Sequence, residues 1–129
     1  MTKSMADLAT LRALRDRLDK ATGPDWELDE ALSIIFYPNV FAEAEKVNGV
    51  WKHKRFNAMI QIGYLTSSID AAVALFERVL PGWSWGIGSD GASIWMNATK
   101  LCFESDGQPA LALCRAIVAA MIAKEEANV

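Results

Sequence analysis

Trp83-Ser84-Trp85-Gly86-Ile87, Ala92-Ser93-Ile94-Trp95-Met96-Asn97 and Thr99-Lys100-Leu101-Cys102-Phe103-Glu104 follow one another closely, and their reading decides the fold. The first two alternate with the period of two that a β-strand imposes on its side chains. Ser89-Asp90-Gly91 between them is a hairpin turn signal, and Ser105-Asp106-Gly107 closes the third segment. The economical reading is a three-stranded antiparallel meander.

Working forward, Gln108-Pro109 opens a helix to about Glu126, with proline at or near its first position. Ala110 to Ala123 is almost unbroken alanine, leucine, isoleucine, valine and methionine, so the helix is apolar most of the way round. Such a helix must be covered on more than one side. The sheet can cover one side and a neighbouring helix another. The N-terminal helices or a second copy of the chain can cover the rest, which makes a homo-oligomer one expectation.

Working backward, Thr66-Ser67-Ser68-Ile69-Asp70 reads as a helix start with Ser67 as the cap. Ile69, Ala72, Val73, Phe76, Val79 and Leu80 make the buried stripe of a helix over 68–80, closed by Pro81-Gly82. Residues 40–64 follow neither period. They read as a loop with one or two short extended pieces, with Asn48-Gly49 as a turn. Near the N-terminus, Met5, Leu8, Leu11, Leu14 and Leu18 mark an amphipathic helix over 4–20, ended by Gly23-Pro24. Asp25 then caps a second helix with the stripe Leu28, Ala31, Leu32, Ile35 and Phe36, stopped at Tyr37-Pro38-Asn39. The order α-α-loop-α-β-β-β-α is that of an α+β protein, with helices packed on a small three-stranded antiparallel sheet.

A chain of 129 residues fits one domain, and its apolar fraction of 52% allows one ordinary core. The apolar run Ala116 to Ala123 is far short of the ~18 residues that a membrane helix needs, so no membrane partner is expected. The N-terminus lacks the apolar block of a signal peptide, which makes the cytosol the default location. Cys102 and Cys114 read as buried small apolar residues, since a structural disulfide is unusual in a reducing cytosol. His53 has no neighbouring cysteine or second histidine, so neither a zinc site nor another cofactor is expected.

The net charge of −3 is uneven: Lys46, Lys52, Lys54 and Arg55 stand together with no acid between them, and the rest of the chain is acidic. This disfavours extended nucleic acid as a partner and leaves room for a local anion site. No nucleophile motif is present, and Gly86-Ile87-Gly88 lacks the third glycine and following helix of a dinucleotide site. Asp25, Glu27, Asp29 and Glu30 read as the charged first turn of a helix.

Three features have both a structural and a functional reading. Trp83 and Trp85 share one strand face, with Trp95 as a cross-strand neighbour. They are either core or a stacking surface for a ring-shaped ligand or a partner. The stretch Lys46 to Phe56 is either a solvated basic loop or a site where Lys52, Lys54 and Arg55 meet phosphate while Trp51 or Phe56 stacks on a base. The helix start at Ser67 either caps itself or lends free N–H groups to a phosphate.

Four segments carry a resemblance. They are Lys20-Ala-Thr-Gly-Pro-Asp-Trp-Glu-Leu-Asp29, Leu65-Thr-Ser-Ser-Ile-Asp-Ala-Ala72, Leu80-Pro-Gly-Trp-Ser-Trp85, and Pro109-Ala-Leu-Ala-Leu-Cys-Arg-Ala-Ile117. In this order and spacing the chain resembles small phage and prophage proteins with a phage ABA-sandwich domain. The segment 40–64 stands out from the short members as an insert. The resemblance implies a phage origin, a helix-sheet-helix fold and a place in the host cytoplasm. It brings no activity and no catalytic residues.

The expected function is therefore that of a non-catalytic phage binding protein. One version counters host defence by sequestering a small phosphorylated or nucleotide-like signal, with Trp51, Lys52, Lys54, Arg55, Ser67 and Trp85 as the binding residues. The other is an interaction module that blocks a host or phage protein through the same surface. A hydrolase built on Asp or Glu is a third and weaker reading.

Overall fold

A computed structural model describes residues 7–56, 58–60, 62–88, 91–96, 99–104 and 108–127. In chain order the elements are α1 (Leu8–Lys20), α2 (Trp26–Phe36), α3 (Pro38–Phe41), β1 (Ala44–Val47), β2 (Val50–His53), α4 (Ile69–Val79), β3 (Ser84–Gly88), β4 (Gly91–Met96), β5 (Thr99–Glu104) and α5 (Pro109–Ala127). The class is α+β. Met5 and the turn residues 89–90 and 105–107 lie outside the described residues.

Local chemistry sets the helix ends. Asp7 Oδ1 accepts the Thr10 N–H at 2.8 Å, and Asp25 Oδ1 accepts the Leu28 N–H at 3.0 Å. Ser68, not Ser67, caps α4: its Oγ accepts the Ala71 N–H at 3.3 Å. The start therefore moves on by one residue, and Ile69 falls outside the buried stripe at 42% exposure. Gly23 is not the left-handed stop expected for α1. Ala21 ends that helix in an extended conformation. Arg115 of α5 donates from Nε to Leu18 O at 2.9 Å and from Nη2 to Ala21 O at 2.8 Å, which caps the free carbonyls of α1 with a cation.

The helix α5 is the centre of the molecule. Ala112, Leu113, Cys114, Ala116, Ile117, Val118 and Ala120 are all fully buried. β3-β4-β5, an antiparallel sheet in that order, covers one side of it, and α1 and α4 cover the other. The layering is thus sheet, α5, then α1 and α4, rather than helices on both faces of a sheet. The apolar circumference that suggested a second copy is covered within one chain. Ile94 of β4 is fully buried toward this core. Cys114 is buried as expected, and the side chain of Cys102 lies outside the described residues.

The helices do not all rest on a single sheet, because the short extended pieces expected in 40–64 pair into a sheet of their own. β1 and β2 form a second antiparallel sheet with Glu45 opposite Lys52 and Lys46 opposite Trp51. Asn48 at φ 51° and Gly49 at φ 79° supply the two left-handed positions of a two-residue hairpin turn. Residues 58–60 add a third strand-like edge: His53 N–H donates to Ala58 O and Ile60 N–H donates to Trp51 O, both at 2.8 Å. Lys52 and Met59 are thereby paired.

Candidate binding surface

A polar seam holds the segment before α4 against the helices. Asp25, Asp29 and Ser33 lie at steps of four along α2, so they form a polar file on a helix whose other inward residues are apolar. Asp29 is only 4% exposed. Its Oδ1 accepts both the backbone N–H and the hydroxyl of Thr66, each at 2.8 Å. The same Thr66 Oγ1 accepts the Asp25 N–H at 2.9 Å. One residue earlier, Leu65 O accepts the thiol of Cys114 at 3.1 Å. Burial pushes the Asp29 carboxyl above its usual range, although the Thr66 hydrogen bonds pull it back. Burial, reinforced by the charge of Asp29, drives the Cys114 thiol strongly upward, so it stays a neutral donor. The acidic first turn of α2 is thus not a uniform solvated charge: Asp29 is a buried anchor.

Glu30 holds the second sheet. Its carboxylate accepts Lys46 Nζ at 2.9 and 3.2 Å and Trp51 Nε1–H at 3.1 Å. Burial raises this carboxyl, but the bonds from Lys46 and Trp51 and the charge of Lys46 outweigh it, and the group sits below its usual range. The Trp51 ring meets Phe41 edge-on at 5.2 Å. Trp51 therefore faces inward, with its N–H and one ring contact already committed.

The pleat then separates the residues expected to act together. Lys52 follows Trp51 on the strand and points to the other face, where Glu45 and Met59 are its cross-strand partners. His53 Nε2 lies 3.4 Å from Glu43 Oε2, and its Nδ1 accepts the Arg55 N–H at 3.1 Å. Four cations without an acid between them read as a basic run, but the hairpin brings Glu43, Glu45 and Glu30 against it. Lys54 and Arg55 remain exposed, with Arg55 over the Phe56 ring at 5.7 Å.

Ser67 lies elsewhere. Its N–H donates to Tyr64 O at 3.2 Å, and its hydroxyl lies 3.5 Å from the same oxygen. Trp85, 38% exposed, lines a different depression with Trp83, Phe76 and Glu77. Trp95 does not join them. It pairs with Ser84 and lies across Gly86, which puts it on the opposite face of the sheet from Trp85. Trp51, Lys52, Lys54, Arg55, Ser67 and Trp85 thus do not share one pocket.

What the second sheet does assemble is an open surface on which large apolar side chains stand beside Glu45 and Lys52. The side of the hairpin facing away from α2 carries Val47, Val50 and Met59, and Val47 is 41% and Met59 73% exposed. Beside it a groove of about 190 Å³ is lined by Trp26, Trp51, Met59, Ile62 and Tyr64 among others. Trp26 and Tyr64 are 52% and 59% exposed, and Lys46 Nζ stands 5.3 Å from the Trp26 ring centre. Trp26, Met59 and Tyr64 have no part in the binding set expected from the sequence. The available signal was several large apolar residues in a segment without either period, which cannot all be buried.

Among the described residues no group of three His, Cys, Asp or Glu side chains is placed to hold a metal ion, and no helix is long and apolar enough to cross a membrane. Comparison of the chain with protein-family models, with curated proteins and with solved structures finds no match in any of the three.

Proposed function

We propose that this chain is a non-catalytic binding protein of phage origin that blocks a host or phage protein through the exposed face of the second sheet. The observation that carries this reading is the collection of Trp26, Met59 and Tyr64, all more than half exposed, around one groove. Large apolar side chains gathered in one place on a surface mark a docking site, whereas scattered ones need no explanation. Tryptophan, tyrosine and methionine are the side chains that interface centres favour. The groups most able to do chemistry are tied into the scaffold: Cys114 donates to Leu65 O, Asp29 accepts from Thr66, and His53 pairs with Glu43.

A second reading keeps a small phosphorylated or nucleotide-like signal as the ligand. It is favoured by the tip that follows β2, where Lys54, Arg55 and Phe56 are exposed together and none of the ion pairs among the described residues involves Lys54 or Arg55. Phe56 takes the stacking role there that Trp51 cannot. Native mass spectrometry of the protein recovered from infected, defence-active cells separates the two. An added mass of protein size supports docking. A small added mass released on denaturation supports signal capture and overturns the first reading.

A further inference from the structure

The hydrogen bonds of the second sheet leave the edge at β1 open. His53 N–H donates to Ala58 O and Trp51 O accepts Ile60 N–H, so these residues of β2 turn their backbone groups toward 58–60. Their cross-strand partners on β1 are Ala44 and Lys46. In an antiparallel ladder the members of such a pair both face away from each other, so Ala44 and Lys46 send their N–H and C=O groups outward from β2. The bond from Lys54 N–H to Glu43 O, one residue earlier, fits the same alternation. Among the described residues no backbone group pairs with these outward ones, and Glu45 and Lys46 are exposed. Such an edge is ordinarily guarded by a charged side chain, most often lysine. Here Glu30 draws Lys46 Nζ inward, to 2.9 and 3.2 Å, beside the Trp26 ring. The charge left at the edge is Glu45, which takes part in none of the ion pairs among the described residues.

A second copy of β1 does not suit this edge. Antiparallel self-pairing centred on Ala44, Glu45 or Lys46 sets Glu45 against Glu43, Glu45 against Glu45, or Lys46 against Lys46, and like charges directly opposite destabilise a sheet. We infer that the β1 edge takes an extended segment of a partner protein as an added antiparallel strand, with a lysine or arginine opposite Glu45 and an apolar residue opposite Val47. Ala44 and Lys46 supply the main-chain hydrogen bonds, while Glu45 and Val47, two apart on one face, read alternate side chains. From its N- to its C-terminus the segment reads apolar, any residue, cation. This edge lies across β2 from Met59, so the inference goes beyond the groove and either can fail alone.

The test uses the full isotope-labelled chain and a capped hexapeptide, threonine-valine-threonine-lysine-threonine-valine. Two-dimensional NMR should show saturable shifts centred on the Ala44 and Lys46 amides. N-methylation of the third and fifth peptide residues, whose N–H groups face β1, should weaken binding more than about tenfold, whereas N-methylation of the second and fourth should leave it unchanged. Glutamate in place of the peptide lysine should weaken binding about fivefold, and Glu45→Gln should bring the two peptides to nearly equal affinity. Ala44→Pro removes one outward N–H at a position where an edge strand tolerates proline, and it should also weaken binding about tenfold. If that variant does not fold, the N-methylated peptides decide. No saturable binding up to the solubility limit, equal sensitivity to the two N-methylation patterns, or a lysine preference undiminished in Glu45→Gln would each overturn the proposal.

Discussion

Two side chains carry most of the residue-level argument, Asp29 and Thr66. A carboxyl held above its usual range by burial binds a proton more tightly in the folded chain than in the unfolded one. Its contribution is therefore fully present at low pH and is lost as pH rises from the ordinary aspartate range through the raised value. Asp29→Asn keeps an oxygen for both Thr66 bonds and removes that charge. In urea unfolding followed from about pH 3 to about pH 8, the stability of the parent relative to Asp29→Asn should fall as pH rises, since the opposite contribution of the depressed Glu30 carboxyl is common to both chains. Thr66→Val removes the hydroxyl that bonds Asp29 and accepts from Asp25 N–H, so it should cost about 2–3 kcal/mol at neutral pH in the same experiment. The sequence identified Asp25 as a cap but not Asp29 as buried. A carboxylate in a first helical turn is ordinarily solvated, and its partner Thr66 lies 37 residues away.

At the scale of elements, what could be read in advance followed the strength of the period. The boundaries of α2, α5 and β5 fall within a residue or two of those expected, because a cap, a proline and a turn signal mark them. One or two short extended pieces were legible in 40–64, and β1 and β2 are those pieces, but their bounds were not, because Ala44-Glu45-Lys46-Val47 carries almost no apolar signal and its inward lysine is held by Glu30 rather than by a core. The turn between them at Asn48-Gly49 was legible too. Gly49→Ala places a Cβ at φ 79° and should weaken this hairpin by about 1 kcal/mol, seen as faster amide exchange over 44–53 with little change in α5. By contrast Ile117→Ala in α5 opens a cavity in the central layer and should lower global stability by about 2–5 kcal/mol by urea unfolding. The binding residues fared worse than the elements. A basic run along the chain was split by the pleat, with Trp51 inward and Lys52 outward, and was brought against acids that precede it in sequence.

For the whole molecule, the circumference of α5 is covered within one chain, and the second sheet is held to α2 through Glu30 and to α3 through Phe41. That leaves Trp26, Met59 and Tyr64 exposed around one groove beside the second sheet. The most direct test is quantitative capture from infected-cell lysate by three forms of the chain: the parent, a Met59→Asp/Tyr64→Asp variant, and a Lys54→Ala/Arg55→Ala variant. Both substituted pairs are exposed, so folding should be kept, with surface changes within about 0.5 kcal/mol. The account predicts one stoichiometric protein retained by the parent and by Lys54→Ala/Arg55→Ala, and lost by more than tenfold with Met59→Asp/Tyr64→Asp. Equal capture by the Met59→Asp/Tyr64→Asp form, or loss only with Lys54→Ala/Arg55→Ala, would contradict it.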